Sequence, residues 1–313
     1  PTETVYGLAG DATNGEALAR IFQVKGRPRF NPLICHVDGL AMAERLAVFD
    51  DRARLLAERF WPGPLTLILP KRPDDPQSPQ NNVHPLATAG LPTLGLRMPH
   101  GPVREIITAF GRPLAAPSAN LSGRLSPTRA DHVAAQLGGS IEMILDAGPC
   151  PVGLESTIVS LQPGSAARLL RPGGLSAGEI EAVLGEALQR PQPDAAIEAP
   201  GMMASHYAPR ARLRLQAESV RPGEALLAFG PAMPEGEPLA VRNLSPRGDL
   251  GEAAVNLFSH LAELDAEGVD KIAVMAIPDT PGTLGEAIND RLRRAALDPA
   301  SPAASDENEN NKP

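Results

Sequence analysis

Three apolar runs, EMILDAG, STIVSL and ARLLRPG, follow one another between residues 142 and 173 with no helical pattern between them. Parallel neighbours need a crossover of a dozen or more residues, usually a helix, whereas antiparallel neighbours need only a turn. Read as successive strands, these runs force antiparallel pairing into the first half of the chain. Upstream, PLICHV, LTLILP, TLGLRM and PLAAPSAN are further strands or strand ends, and here helical stretches do intervene, at about 39–47, 51–60 and 102–110. The first part therefore mixes antiparallel pairs with α/β units.

TNGEALARIFQVKG is a helix with Leu18, Ile21 and Phe22 on one face, Thr13 and Glu16 at capping-box spacing, and Gly26 as its stop. WPGP breaks the helix before LTLILP, residues 71–92 form an exposed Pro- and Asn-rich loop, and a helix over 176–188 closes this part. From 189 the texture changes. About twenty Pro- and Ala-rich residues form a linker, after which EALLAFG, LAVRNL and KIAVMAI alternate with helices over 250–265 and 284–297. That alternation predicts a small doubly wound, Rossmann-like domain. The boundaries expected are 1–188, a linker or lid over 189–211, a second domain over 212–298, and a polar, disordered tail over 299–313.

The net charge of −8 is uneven: residues 1–185 hold 17 basic against 17 acidic residues, and 186–313 hold 12 against 20. Bulk charge gives no nucleic-acid footprint, and with 3% aromatics there is no stacking platform for bases. The longest apolar run near a strand, LTLIL, is too short to span a bilayer. Cys35 and Cys150 make neither a disulfide framework nor a metal-ligand spacing, so a reducing, cytoplasmic compartment is expected. The chain opens on Pro1-Thr2-Glu3, within a motif, so upstream residues, including a strand, are expected to be missing.

There is no GxxxxGK[ST] loop, no GxGxxG fingerprint and no nucleophile elbow. Local cations are the alternative. KGRPRFNPLICH concentrates Lys25, Arg27, Arg29, Asn31 and His36 between a helix end and a strand. Arginine grips phosphate bidentately and lysine acts as a mobile point charge. Read alone, the same segment is equally a solvated basic turn capping the helix. AAPSANLSGRLSPT offers Ser118, Asn120, Ser122 and Ser126 to a phosphate or ribose, or else a loop with a helix N-cap at Ser126 or Thr128. Arg97, among apolar strand neighbours, requires a carboxylate partner, either internal or from a substrate. Arg171 ends a strand before a tight turn, and His36 is either a core histidine or a ligand contact.

PTETVYGLAGDA, KGRPRFNPLICHV, LTLILP, TLGLRMP, APSANLSG, ESTIVS and LLRPG occur in the order and approximate spacing of the YrdC-like family. SHYAPRA followed by an α/β domain resembles that family's long form. The motifs cover about residues 1–210, and the likeness beyond them rests on domain arrangement.

The resemblance implies a twisted, mostly antiparallel mixed sheet around a positive cavity. It implies a nucleotidyltransferase that makes L-threonylcarbamoyladenylate and pyrophosphate from L-threonine, bicarbonate or CO2, and ATP. That product serves threonylcarbamoylation of the adenosine beside the tRNA anticodon. Carried over by position, the threonine site is Thr4, His36, Arg97, Ala116 and Ser156. The ATP site is Arg27, Asn31, Thr93, Ser118, Ser126, Arg171 and Tyr207, the last closing over the nucleotide from the linker. Lys25 and Arg27 would neutralise phosphate charge together with Mg2+ brought by ATP, with no dedicated general base and no protein-built metal site. The partners implied are the three substrates and the tRNA threonylcarbamoyl transferase machinery, with at most weak tRNA contact and no membrane. Two other readings are an RNA-binding module and a carbamoyl-adenylate enzyme of hydrogenase maturation. The latter usually carries zinc-finger cysteines, and none are present here.

Overall fold

The apolar runs assemble into a seven-stranded sheet. The computed structural model describes residues 1–78, 82–192, 196–202 and 206–297. Its first part runs β1 (Gly10–Asp11), α1 (Gly15–Lys25), β2 (Ile34–His36), α2 (Leu40–Leu46), α3 (Asp51–Phe60), β3 (Leu65–Pro70), α4 (Pro85–Thr88) and β4 (Thr93–Arg97). It continues through α5 (Pro102–Phe110), β5 (Leu114–Ala115), α6 (Ala130–Leu137), β6 (Thr157–Ser160), β7 (Arg168–Arg171) and α7 (Ala177–Leu184). The strand order is β1-β5-β2-β4-β3-β6-β7. Only β2–β4 and β3–β6 are parallel; the other four pairings are antiparallel. The mixed, mostly antiparallel sheet is therefore as expected.

Strand alternation divides this sheet between two tasks. Cys35, Leu67, Leu69, Leu94, Leu96, Val159 and Leu169 enter the main core, where they pack with helical residues such as Leu18, Ile21, Phe22 and Leu56. The opposite face carries Ile34, Ile68, Ile158 and Leu170, and it is covered by Ala199 and Met202 of the linker rather than by a helix. At about 25 cal/mol per Å² of apolar area, the helix-covered face supplies most of the burial energy. The linker-covered face is left for polar side chains.

Several local readings are corrected. The cap of α1 is Asn14, whose side chain accepts from the backbone N–H groups of Glu16 and Ala17, while the Thr13 hydroxyl is donated to Asp11. Gly26 ends the helix at φ 60°, as expected. The loop over 71–92 contains the short α4. EMILDAG is not a strand: Met143 is 79% exposed, and the Asp146 carboxylate is taken by the Tyr6 hydroxyl and the Gly148 N–H, closing a turn. Antiparallel succession survives in β6–β7 alone. Helix α6 begins after Arg129, without a side-chain cap, so neither Ser126, whose hydroxyl donates to Glu155, nor Thr128 is its N-cap.

The second part contains β8 (Arg212–Arg214), β9 (Glu224–Ala228), β10 (Val241–Asn243), α8 (Leu250–Ala266), β11 (Lys271–Val274) and α9 (Leu284–Ala296). The strand order is β10-β9-β11-β8, parallel throughout. Strand β8, with the sequence RLR, has no apolar run to announce it. Both helices contribute to one core with Ala225, Leu227, Ile272 and Val274, while Ala217 and Val220 cover the other face at Leu226, Ala228 and Ala273. The first of these cores also takes in Leu125, Leu154 and Tyr207 from outside this sheet. Contact there is close: a Cβ on Gly153 would lie 2.5 Å from the Val255 Cα of α8, at a φ of +74°. The tail expected over 299–313 lies outside the described residues. Among the described residues, no helix is long and apolar enough to cross a membrane.

Candidate active site

The parallel pairing of β2 with β4 places His36 directly beside Arg97, with their Cα atoms in register. Both side chains project from the linker-covered face, where they line a cavity of about 50 Å³. Thr4, Ala116 and Ser156 line the same cavity, so all five residues carried over for threonine converge. The Ser156 hydroxyl is 2.7 Å from that of Thr66 on β3, and the Thr4 hydroxyl is 2.9 Å from that of Thr2.

Arg97 has an internal partner. Its Nη2 lies 2.5 Å from the Glu3 carboxylate and 3.3 Å from the Thr2 hydroxyl, and its Nε donates to the Gly63 carbonyl at 3.2 Å. Glu3 also accepts the His100 N–H at 2.8 Å. Of the two partners the sequence left open, the internal carboxylate is the one found. Nη1 meets no acceptor among the described residues. His36 is pushed down to about 3, first by burial and then by the neighbouring Arg97, so it is neutral, and its Nδ1 has no hydrogen-bond partner.

The residues carried over for ATP divide. Arg27, Ser118, Arg171 and Tyr207 line the cavity. Arg27 donates to the Asn31 and Pro32 carbonyls, and burial lowers it to about 10. Arg171 donates to the Ser156 carbonyl at 2.8 Å and to Pro200 at 3.3 Å. Tyr207, 1% exposed, holds φ at +66°, a conformation few non-glycine residues adopt.

Four expected contacts are not on the cavity wall. Lys25 is buried with its ammonium 2.5 Å from both the Ser118 and Asn120 carbonyls; a buried ammonium needs acceptors, and it finds them in the wall's backbone. Burial, with Arg27 beside it, lowers its pKa well below the usual lysine range. Asn31 is buried behind Arg27. Thr93 pairs with Pro70 at the far end of β4, four residues and about 13 Å from Arg97. Ser126 donates to Glu155 and faces a separate cleft of about 680 Å³ that also holds Arg124, His132 and Arg210. Arg29 is exposed, so KGRPRFNPLICH delivers Arg27 and His36 to the cavity rather than a full row of cations.

Among the lining residues not singled out from the sequence are Glu155, Gly201 and His206. Glu155 is the one acid on this wall, caught between Ser126 and the Nε of Arg291 at 2.8 Å. Burial alone would raise its pKa, but Arg291 and Arg171 hold it low. His206 and Gly201 come from the linker; burial pushes His206 down to about 3. The signals were slight: an acid directly before the hydroxyls of ESTIVS, and the imidazole of SHYAPRA.

A family model described as "Telomere recombination", covering Sua5, YciO and YrdC proteins, matches residues 1–173, and one described as "Threonylcarbamoyl-AMP synthase, C-terminal domain" matches 175–297. A threonylcarbamoyl-AMP synthase of Bacillus subtilis is 40% identical over 95% of this chain and 88% of that protein. This chain belongs to the threonylcarbamoyl-AMP synthase family. A Pyrococcus abyssi member of the family is 41% identical over 95% of this chain and 89% of its own length. The crystal structure of P. abyssi Sua5 complexed with L-threonine superposes with a TM-score of 0.83 at 39% identity, covering 95% of this chain and 89% of that one. Among threonylcarbamoyl-AMP synthases this chain is thus of the two-domain kind, and it is an enzyme.

Proposed function

We propose that the chain joins L-threonine, bicarbonate or CO2, and ATP into L-threonylcarbamoyladenylate with release of pyrophosphate, a nucleotidyl transfer. The observation carrying this reading is the register of His36 with Arg97, which sets a neutral imidazole beside a fixed guanidinium on the wall of one cavity that Arg27 and Arg171 also line. Arg97 Nη1 would take the carboxylate of threonine. Glu3 holds that guanidinium in one geometry, so little ordering is left for binding. Ser156, Thr4 and the lone pair of His36 would meet the hydroxyl and amine.

The threonine amine, after losing its ammonium proton to solvent, adds to CO2 and releases a second proton to give a carbamate, one of whose oxygens attacks the α-phosphorus as pyrophosphate leaves. That nucleophile is already anionic, so the protein's contribution is positioning and charge neutralisation. Arg27 and Arg171 would neutralise the phosphates, and Lys25 would act at one remove by holding the 118–120 turn. Among the described residues no cluster of His, Cys, Asp or Glu is arranged to hold a metal, and Glu155 is already engaged. Mg2+ would therefore arrive on the ATP phosphates, the usual mode for this ion, and share the pyrophosphate charge.

About 50 Å³ holds roughly four water-sized molecules, far less than a nucleotide. The segment bearing Gly201, His206 and Tyr207 is read as a lid that shifts to admit ATP and then keeps water from the labile adenylate. The reading includes a cytoplasmic enzyme whose product passes to a tRNA threonylcarbamoyl transferase.

The test is incubation with all three substrates, followed by mass spectrometry for threonylcarbamoyladenylate and assay of pyrophosphate. Product is expected without RNA and is expected to vanish when threonine or bicarbonate is omitted. Pyrophosphate release indifferent to threonine would overturn the reading. A requirement for RNA would favour the RNA-binding alternative.

A further inference from the structure

We infer that Arg291, on α9 of the second domain, is a positioning residue for the nucleotide side of the cavity. Its side chain is 1% exposed. Nε donates to the Glu155 carboxylate at 2.8 Å, Nη2 to the Pro172 carbonyl at 3.0 Å, and Nη1 to Asp290 at 2.6 Å. Its guanidinium carbon also lies 4.9 Å from the centre of the Tyr207 ring. One side chain from the far domain thus touches two residues of the cavity wall, Glu155 and Tyr207, and the residue following Arg171.

A guanidinium carried this deep needs a structural reason, since desolvating it is costly unless every donor is used. Here each of the three nitrogens has an acceptor, and one of these acceptors, Glu155, belongs to the cavity wall. Without Arg291, Glu155 would turn its charge on the cavity beside Arg171, the place where phosphate is proposed to sit. Tyr207 would lose the cation that faces its ring while its backbone remains in an unfavourable conformation. Nearby, the His206 N–H donates to the Arg294 carbonyl of the same helix at 3.3 Å. Docking of α9 and placement of the lid residues are one event, and Arg291 is its centre.

The inference rests on the functional reading above. The experiment compares wild type, Arg291→Gln and Arg291→Lys as full-length chains, with the KM for ATP and for threonine measured separately and thermal midpoints recorded. The ATP KM is expected to rise about tenfold or more in either variant, with the threonine KM within twofold. A merely structural role would lower the thermal midpoint and leave both constants unchanged, and that result overturns the inference. Should Arg291→Gln not fold, Arg291→Lys decides, because it keeps a buried cation but loses the fork. Glu155→Gln supplies the second leg of a cycle: adding Arg291→Lys to it is expected to cost less than twofold further. Full additivity would show that Arg291 does not act through Glu155. If wild type itself makes no threonine-dependent product, the functional reading fails. Calorimetric binding of a non-hydrolysable ATP analogue to the same three proteins then decides the role of Arg291, a loss of binding in the variants supporting it and unchanged binding overturning it.

Discussion

His36, Arg97 and Ser156 stand on or directly beside interior strands of the seven-stranded sheet, while Gly201, His206 and Tyr207 come from the linker, and the last two meet Arg294 and Arg291 of a helix of the other domain. The first group, proposed for threonine, is fixed by ladder hydrogen bonds and by ion pairing to Glu3. The second, proposed for the nucleotide, is held by packing between the linker and the second domain. In the proposed function the small substrate would be met by the sheet and the large one by the linker side. Breaking one half should therefore leave the binding constant for the other half's substrate almost untouched.

The largest effect expected is from Arg97→Ala. A charge-assisted hydrogen bond to a carboxylate contributes about 1.5–3 kcal/mol, so the threonine KM should rise roughly 10- to 100-fold with the ATP KM little changed. The substitution also strands Glu3 in the interior at a cost of about 3–5 kcal/mol, so chemical denaturation should accompany the kinetics, with Arg97→Lys as a milder partner. A threonine KM that does not move would remove Arg97 from the site.

The halves share one property, a buried histidine, and pH reads it. His36 and His206, one on each side, are both pushed down to about 3, mainly by burial. Below an unfolded value of about 6.5 the unfolded chain binds more protons than the folded one, so stability is full above that pH and falls as pH drops toward 3. Each histidine contributes about 1.4 kcal/mol, or tenfold in the folding equilibrium, per pH unit. Urea midpoints at pH 7, 6 and 5 should decline accordingly, and His36→Gln or His206→Gln should each make the decline shallower. A flat profile would show that water reaches both rings.

Gly201→Ala probes the linker side alone. The backbone there has φ +83°, which L side chains rarely adopt, and a Cβ would lie 2.7 Å from Arg171 Cδ and 2.9 Å from the Tyr207 hydroxyl. The ATP KM should rise several-fold while that for threonine stays within twofold. Equal rises would mean that the two halves are not separable.

The threonine side was legible in the sequence because strand periodicity and motif order together say which residues share a face: His36, Arg97 and Ser156 needed only the correct register. The nucleotide side was legible in part. Arg27 and Arg171 could be placed from helix and strand ends, but nothing in SPTR says that the Ser126 hydroxyl turns to Glu155, or in VKGR that the Lys25 ammonium turns to backbone carbonyls. Arg291 was invisible for a different reason. It lies 136 residues from Glu155, in a helix with an ordinary charged sequence, and only the docking of two domains gives it a partner.

Thr93→Ala is the smallest effect expected and the sharpest test of where the nucleotide side ends. Thr93 occupies the cavity face of β4 by alternation, yet it pairs with Pro70 at the opposite end of the strand from Arg97. A nucleotide lying along Arg27, Arg171 and Tyr207 would have no need of it, since Thr93 is not on the cavity wall. Both KM values should therefore stay within twofold of wild type, a change of less than about 0.4 kcal/mol. A fivefold or greater loss confined to ATP would mean that the nucleotide runs along β4 instead of toward the linker. The contrast between a sheet-built and a linker-built half would then have to be redrawn with both substrates resting on strands.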